Sequence, residues 1–170
     1  MSSLKKLAFA AALGAAMLAA PTAIAQTKSA LVVKSLGNGF FDAANKGAQE
    51  AAAELGDVEV IYTGPTTATA EGQIEIVNSL IAQNVNAIAI SANDPDALVP
   101  VLKKAMDRGI TVISWDSGVA EEGRQVHLNP SDTALIGETI IKLAADYLPD
   151  GGDVAILSAS STATNQNAWI

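Results

Sequence analysis

The 170-residue sequence contains no cysteine and only one histidine. Without cysteine the chain can form neither a disulfide nor a thiolate metal site, and a single histidine excludes a metal centre with several imidazole ligands. It also lacks the glycine-rich phosphate loop of the Walker type, so we do not expect it to hydrolyse ATP. From these absences we predict a protein without a metal or other cofactor.

Positive charge is also scarce, because 10 basic residues face 18 acidic ones and the net charge at pH 7 is −8. Lys5 and Lys6 lie in a segment that we expect to be removed. Their loss would leave 8 basic residues against 18 acidic ones, a net charge of −10. An acidic chain repels nucleic acids and anionic membranes, so neither is an expected partner.

Residues 1–25 have the three parts of a secretory signal peptide. Lys5 and Lys6 are followed by an apolar stretch over residues 7–20 and then by the small-residue pattern Ala23-Ile24-Ala25. The apolar stretch is shorter than the roughly 20 residues that span a bilayer. We therefore predict cleavage after Ala25 and export, rather than a membrane anchor.

After residue 26, short β-branched runs alternate with longer stretches in which apolar residues recur at helical spacing. The pattern predicts strands at residues 30–34, 58–62, 87–91, 110–114, 125–128 and 153–157, and helices at residues 40–55, 70–83, 94–108 and 131–148. This alternation predicts the α/β class, with a mainly parallel sheet covered by helices on both faces.

The tripeptide Asn129-Pro130-Ser131 separates a predicted strand from a predicted helix, and we interpret it as a crossover between two lobes. Residues 26–129 would form a nearly complete first lobe. Residues 130–170 would begin a second lobe with one helix, one strand and the start of another helix. Such a set cannot bury a core of its own, so we expect the second lobe to be truncated.

Polar side chains follow several of the predicted strands, and ligands of parallel sheets bind beyond the carboxyl ends of the strands. The candidates at these ends are Lys34, Asn93, Trp115, Asp116, Asn165 and Gln166. A carboxylate can accept two hydroxyl hydrogen bonds, and amides both donate and accept. This combination of groups predicts a ligand with several hydroxyl groups, such as a sugar.

Most of these candidates also have a purely structural interpretation. Asp116 could be a turn or capping residue, and Lys34 could be a solvated strand end. Asn93 could cap the helix predicted to begin at Asp94-Pro95, and residues 165–166 could cap the helix that follows them.

Phe40 and Phe41 are neighbours at the start of a predicted helix, so their rings point in different directions. We expect one ring in the core and the other at the cleft, where it could stack on a sugar. The alternative places both rings in the core. The preceding Gly37-Asn38-Gly39 matches only part of the dinucleotide fingerprint. Asp42 replaces the third glycine and would repel a pyrophosphate.

No catalytic set is evident in the sequence. His127 lies at a predicted strand end without an evident nucleophile partner, and Ser160-Ser161 lacks the glycines of a nucleophile elbow. A glycosidase needs two carboxyl groups in its cleft, and only Asp116 is expected there. We therefore predict a binding protein and not an enzyme.

Five segments, in order, resemble the type I periplasmic sugar-binding proteins of ABC importers, and within them the rhamnose-binding and autoinducer-2-binding branch. They read VVKSLGNGFFDAANKGAQEAA, YTGPTTATAEGQIEIVNSLIAQ, AISANDPDALVPVLKKAMDRGI, VISWDSG and STATNQNAWI. The resemblance implies two α/β lobes that close around a ligand, in a periplasmic monomer that delivers its sugar to an ABC permease of the inner membrane. It also implies ligand contacts from Lys34, Phe41, Asp116, Asn165 and Gln166, with Phe40, Asn93 and Trp115 as further candidates.

The resemblance favours rhamnose as the ligand, with autoinducer-2 as the alternative. The autoinducer-2 branch has an aspartate where this chain has Asn165, and STATNQNAW is more similar to the rhamnose branch. A sugar-responsive repressor would share the two-lobed core. It would need a DNA-binding helix pair where this sequence has its predicted signal peptide.

Overall fold

The computed structural model describes residues 26–170, so the predicted signal peptide at residues 1–25 lies outside the described residues. The strands are β1 (Thr27–Val32), β2 (Val58–Thr63), β3 (Ala87–Ile90), β4 (Thr111–Trp115) and β5 (Val126–Leu128). The helices are α1 (Gly39–Leu55), α2 (Ala70–Ala82), α3 (Val99–Met106), α4 (Thr133–Tyr147) and α5 (Thr164–Trp169), with a short 3-10 helix at Glu121–Gly123.

The five strands form one sheet in the order β2-β1-β3-β4-β5, and every neighbouring pair is parallel. Ser29 of β1 lies opposite Ala87 of β3, which in turn lies opposite Thr111 of β4. The predicted α/β class with a parallel sheet is confirmed. Because β2 and β3 flank β1 on opposite sides, the strand order reverses at β1, and such a reversal opens a crevice at the carboxyl ends of the strands.

Helices cover both faces of the sheet, as predicted. Val32, Ile88 and Val112 are fully buried on one face, in a core that also contains side chains of α2 and α3. On the other face Val33 and Trp115 pack with Phe41 of α1. Each fully buried aliphatic side chain contributes about 1.5–3 kcal/mol to the stability of the fold. Alternate residues of a strand point to opposite faces of the sheet, so the burial of these side chains fixes which face of each strand packs against which helices.

The ends of α1 follow from local chemistry. The side chain of Asn38 accepts a hydrogen bond from the Phe40 amide at 2.9 Å, which caps the first turn. Gly56 ends the helix with φ +80°, a left-handed conformation that glycine adopts without steric cost. The predicted end of this helix at residue 55 is confirmed.

The predicted start of the third helix was wrong. We expected it at Asp94, but α3 begins at Val99. Asp94 instead accepts hydrogen bonds from the amides of Asp96 and Ala97, at 3.0 and 2.9 Å, and so closes a separate turn. The reason is Pro100, which has no amide proton and would clash inside a helix that started at residue 95, but fits the first turn of a helix that starts at 99.

Two expectations beyond β5 also need correction. Residues 153–157 have an alternating apolar pattern, but they are not a strand, because they pair with no strand within the described residues. Leu157 is 98% exposed there. The last helix, expected to begin at the very end of the chain, already begins at Thr164. The predicted lobe boundary at residues 129–131 falls in the link between β5 and α4, and the division into lobes stays a prediction.

Within residues 26–170 no helix combines the length and apolar character that crossing a membrane requires.

Candidate ligand-binding site

Three of the predicted site residues form one hydrogen-bonded group. The Lys34 ammonium donates to Asn165 Oδ1 at 3.2 Å, and Asn165 Nδ2 donates to Asp116 Oδ1 at 2.7 Å. The Ser91 hydroxyl donates to the other oxygen of Asp116 at 2.7 Å. We refer to Lys34, Ser91, Asp116 and Asn165 as the polar cluster. It lies at the carboxyl ends of β1, β3 and β4, the edge to which the sequence pointed.

Chemistry determines how the Asn165 amide is oriented. An ammonium group can only donate hydrogen bonds and an ionised carboxylate can only accept them. The amide oxygen of Asn165 must therefore face Lys34, and its nitrogen must face Asp116. An aspartate at position 165 could make the first of these two contacts but not the second.

The backbone of Asp116 is in an uncommon conformation, with φ +56°. A non-glycine residue in the left-handed region costs roughly 1 kcal/mol or more and persists where its surroundings hold it in place. Here the amide of Asp116 donates to the carbonyl of Leu128 at 3.1 Å, and both carboxylate oxygens accept hydrogen bonds. Such strain concentrates at ligand sites, which favours a ligand role over a simple turn.

Burial lowers the pKa of the Lys34 ammonium from its usual 10.5, and the nearby charge of Asp116 opposes part of that shift. Removal from water disfavours the charged form of a lysine, whereas a carboxylate favours it. Lys34 is therefore not the solvated strand end that we considered as the alternative.

A cavity of about 280 Å³ adjoins the polar cluster. Asp116 and Asn165 contribute to its wall, together with Arg124, His127 and Trp169. The volume is near the lower end of the range for small-molecule pockets, about 300 Å³. The wall combines these groups with apolar side chains such as Val119 and Ile136, a mixture that suits a small ligand with both hydroxyl groups and C–H surface.

His127 has a hydroxyl partner that the sequence did not reveal. Its Nδ1 lies 2.9 Å from the Ser114 hydroxyl, and its Nε2 lies 2.9 Å from Asn129 Oδ1. Nothing in the sequence indicated that the Ser114 hydroxyl lies beside His127. Ser114 is nevertheless fully buried, and its hydroxyl also accepts a hydrogen bond from Arg124 at 3.2 Å. A hydroxyl enclosed in this way cannot reach a substrate, so the group stabilises the wall of the cavity.

One of the two phenylalanine rings lies in the core, as expected, and the other is exposed; its position at the cleft stays a prediction. Phe41 is 4% exposed and meets Trp115 edge to face, with ring centroids 5.8 Å apart. Phe40 is 51% exposed and stacks on Trp115 at 6.1 Å. The resemblance implies a ligand contact for Phe41, but the ring that is exposed to solvent is that of Phe40. Gly37 turns the chain before α1 with φ +80°.

Trp115, a further candidate, has a buried indole nitrogen that finds no acceptor among residues 26–170. The hydroxyl of Ser117 is buried without a partner in the same part of the chain. Unpaired buried polar groups are rare and call for an explanation. Neither residue lines the cavity beside Asp116, so a ligand role for Trp115 stays a prediction.

Gln166 and Asn93 do not join the polar cluster. Gln166 Oε1 accepts from the Ser158 hydroxyl and the Ala159 amide, at 2.8 and 2.7 Å, and the residue lines a different cavity of about 690 Å³. Asn93 Nδ2 donates to the carbonyls of Lys34 and Thr69, at 2.9 and 3.1 Å. Both amide hydrogens of Asn93 thus hold loops together, and a ligand role for either residue stays a prediction.

Gln73, which was not predicted from the sequence, supports the site by hydrogen-bonding to the backbone at the strand ends. This fully buried side chain of α2 donates to the carbonyls of Val33 and Ser91, at 3.1 and 2.8 Å, and accepts from the Asn93 amide at 2.8 Å. A signal was present, because Gln73 lies four residues before Val77 on the buried face of the helix. A polar residue on an apolar face needs hydrogen-bond partners, so it marks a polar junction in the core.

Among residues 26–170, histidine and carboxylate side chains form no group of three or more that could hold a metal ion.

The chain is similar in sequence to a known protein family and to several characterised proteins. The profile of the family described as "Periplasmic binding protein domain" matches residues 29–170. The chain is 35% identical over 147 residues to the D-ribose/D-allose-binding protein of Pseudomonas aeruginosa, an alignment that covers 80% of this chain and 45% of that protein. The chain thus spans about half the length of the curated relatives it matches.

Two solved structures are similar to the chain in both fold and sequence. An ABC transporter solute-binding protein from Clostridium phytofermentas with bound L-rhamnose superposes with a TM-score of 0.78 and 40% identity, covering 85% of this chain and 44% of that chain. LsrB from Clostridium saccharobutylicum in complex with AI-2 superposes with a TM-score of 0.74 and 32% identity, covering 84% and 46%.

Proposed function

The chain belongs to the periplasmic binding protein domain family, and from this membership we propose that it captures a sugar for an ABC importer. Its fold is that of the type I periplasmic binding proteins, a parallel sheet flanked by helices. In our proposal residues 26–129 form the first lobe and residues 130–170 begin the second. The protein is released into the periplasm after cleavage near Ala25, and it delivers its ligand as a monomer to a permease of the inner membrane.

The observation that carries this proposal is the polar cluster. Lys34 donates, Asp116 accepts, and Asn165 does both, while the half-exposed ring of Phe40 offers an apolar face. A sugar presents hydroxyl groups at its edges and C–H groups on its faces, so these groups match it in kind. The cluster residues hydrogen-bond to one another, and the hydroxyls of an arriving sugar would replace some of these internal hydrogen bonds.

Within the sugars we favour L-rhamnose. Asn165 keeps this position neutral, which suits an uncharged deoxysugar, and the relative with bound L-rhamnose is 40% identical to the chain. Autoinducer-2 is the second candidate, because LsrB, solved in complex with AI-2, is 32% identical. Ribose is a third ligand to test, since curated relatives are named for it.

Calorimetric titration of the full-length protein with L-rhamnose, autoinducer-2 and D-ribose tests the proposal. Tight binding of L-rhamnose alone is the expected result. Binding of autoinducer-2 or D-ribose alone would overturn the choice of ligand but leave the binding role intact. If none of the three produced heat, and a wider panel of monosaccharides gave none either, the proposed function would be refuted.

Asn165→Asp should weaken L-rhamnose binding at pH 7 by about tenfold or more, since the change turns an attractive contact into repulsion between like charges. Asn165 Nδ2 lies 2.7 Å from Asp116 Oδ1, and two carboxylates at that separation repel each other strongly until the pair takes up a proton. Titrations at several pH values should show part of the affinity returning as the pH falls and the pair takes up a proton.

Asn167→Asp is the matched control for that experiment. It introduces the same charge two residues away, at an exposed position whose amide donates only to the carbonyl of Ser161, at 2.9 Å. Equal losses in the two variants would show that general charge, and not the contact with Asp116, lowers the affinity.

The affinity should also fall at alkaline pH, beginning below the usual lysine pKa of 10.5, because burial lowers the pKa of Lys34. A neutral amine is a weaker hydrogen-bond donor to a sugar hydroxyl than an ammonium group. Titrations between about pH 7 and 10 would reveal the fall. The Lys34→Met variant should bind weakly throughout and lack the alkaline step. If the step persisted in that variant, Lys34 would not be its origin.

A further inference from the structure

Buried side-chain amides hold the backbone carbonyls on both sides of the Lys34 Cα. The carbonyl of Val33 accepts a hydrogen bond from Gln73 Nε2 at 3.1 Å, and the carbonyl of Lys34 accepts one from Asn93 Nδ2 at 2.9 Å. Because a peptide group is planar, each bond restrains one of the two peptide planes that meet at this Cα. Together they restrain the direction in which the Lys34 side chain leaves the backbone.

Gln73 and Asn93, which we call the amide pair, are also bonded to each other and to two further segments. Gln73 Oε1 accepts from the Asn93 amide at 2.8 Å, and Gln73 Nε2 donates to the Ser91 carbonyl at 2.8 Å. Asn93 Nδ2 donates to the carbonyl of Thr69, the N-cap of α2, at 3.1 Å. Gln73 is 0% and Asn93 7% exposed, so water competes little for these bonds.

Strand pairing by itself does not hold Lys34. The register of β1 with β3 ends at Val32 and Ile90, before Lys34 is reached. Among residues 26–170 the carbonyl of Lys34 accepts from no backbone amide, so the amide pair supplies the partner that the sheet does not. All of these groups lie within residues 33–93, inside the proposed first lobe, and their bonds do not cross the cleft between the lobes.

We propose that Asn93 is a positioning residue, which aims the Lys34 ammonium at the ligand by holding the Lys34 carbonyl. Gln73 fixes Asn93 in turn through its backbone amide. The consequence for sugar affinity rests on the proposed function, whereas the restraint on the Lys34 backbone requires no sugar. The rival role for Asn93 is a direct contact with the sugar through Oδ1, for which residues 26–170 supply no donor.

The physical reason is leverage at the end of a long, flexible side chain. A small rotation about the Lys34 Cα displaces the distant ammonium much more than it displaces the backbone. A binding group that is aimed in advance loses less conformational entropy when the ligand binds. If the carbonyl is released, only a fraction of the molecules present the ammonium correctly, and the apparent dissociation constant rises in proportion.

The first test is a double-mutant cycle in the full-length protein, measured by calorimetric titration with L-rhamnose. Asn93→Ala removes two neutral hydrogen bonds and should lower the affinity about tenfold or more. Combined with Lys34→Met, the same substitution should cost nothing further, because no ammonium is left to aim. Additive losses would overturn the positioning role, since Asn93 would then act independently of Lys34. A normal affinity in Asn93→Ala would overturn it as well.

Asn86→Ala is the matched control. Asn86 Oδ1 accepts from the amide of Lys28 at 2.8 Å, so it joins the start of β3 to β1 at the opposite edge of the sheet. This variant should bind L-rhamnose as the unmodified protein does. A loss equal to that of Asn93→Ala would show that any link between β1 and β3 matters, and the aiming of Lys34 would be refuted.

The second test is hydrogen exchange of backbone amides without sugar. The amides of Val33 and Leu36, which donate to the carbonyls of Thr63 and Pro65 at 2.9 Å, flank Lys34. In Asn93→Ala they should exchange about tenfold faster, whereas amides of β4, which report global unfolding, should not change. Unchanged exchange at both positions would overturn the restraint, and so would equal acceleration in β4. If the unmodified protein bound no sugar, the proposed function would fail, but this measurement would still decide whether Asn93 holds the Lys34 backbone.

Discussion

Asp116→Asn should lower the affinity of the full-length protein for L-rhamnose by about 100-fold or more, since a hydrogen bond to a charged group contributes about 1.5–3 kcal/mol and we expect two from the sugar. The substitution keeps the shape of the side chain and removes its charge. It also turns one of the two acceptor oxygens into a donor nitrogen. In the unmodified protein both oxygens accept hydrogen bonds, one from Ser91 and one from Asn165. The amide would thus disturb the cluster as well as the ligand contacts.

The measurement is calorimetric titration, with Asp116→Ala as the more severe variant. Asp107→Asn serves as the matched control, because Asp107 is exposed at the end of α3. It should bind L-rhamnose as the unmodified protein does. An unchanged affinity in both Asp116 variants would eliminate this residue as a ligand contact and would reduce its strained backbone to a feature of the turn.

Gln73→Met should destabilise the folded protein by about 3 kcal/mol or more, since each buried polar group that loses its partner costs about 1–3 kcal/mol. Methionine has a similar length but cannot make the hydrogen bonds. The carbonyls of Val33 and Ser91 and the amide of Asn93 would all lose their partner in a place that water does not reach. Denaturant unfolding of the full-length protein would measure the loss.

Gln49→Met is the control for that measurement. Gln49 is exposed on α1, and its side-chain bonds are long, at 3.4 Å to both the Asn45 side chain and the carbonyl of Val60. We expect a change within about 0.5 kcal/mol, as for most surface substitutions. If Gln73→Met were equally mild, the strand ends would not depend on Gln73.

Lys34 and Asp116 were found from the sequence because each follows an apolar strand pattern, and the carboxyl ends of parallel strands share one edge. The end of α1 before Gly56 could be predicted because the groups that the glycine satisfies lie within a few residues. By contrast Pro100, whose effect is equally local, was overlooked, and the start of α3 was therefore misplaced.

Contacts between distant residues were beyond the reach of the sequence. Asn165 and Asp116 are 49 residues apart, and nothing in their neighbourhoods predicts that one amide hydrogen meets one carboxylate oxygen. The choice between Phe40 and Phe41 depended on how α1 packs against Trp115. The apolar alternation at residues 153–157 was typical of a strand, but a strand also needs a partner for its backbone, and that is a property of the assembled sheet.

The sequence by itself determined the α/β class, the parallel sheet and the edge at which the site lies. Periodicity, capping and strand-end position are local, and each is set by residues within about two turns of one another. Only the tertiary structure decided which polar groups meet there and that Gln73 supports them. Hydrogen bonds depend on distances of a few tenths of an ångström and on direction, and only the packed chain brings donor and acceptor to such positions.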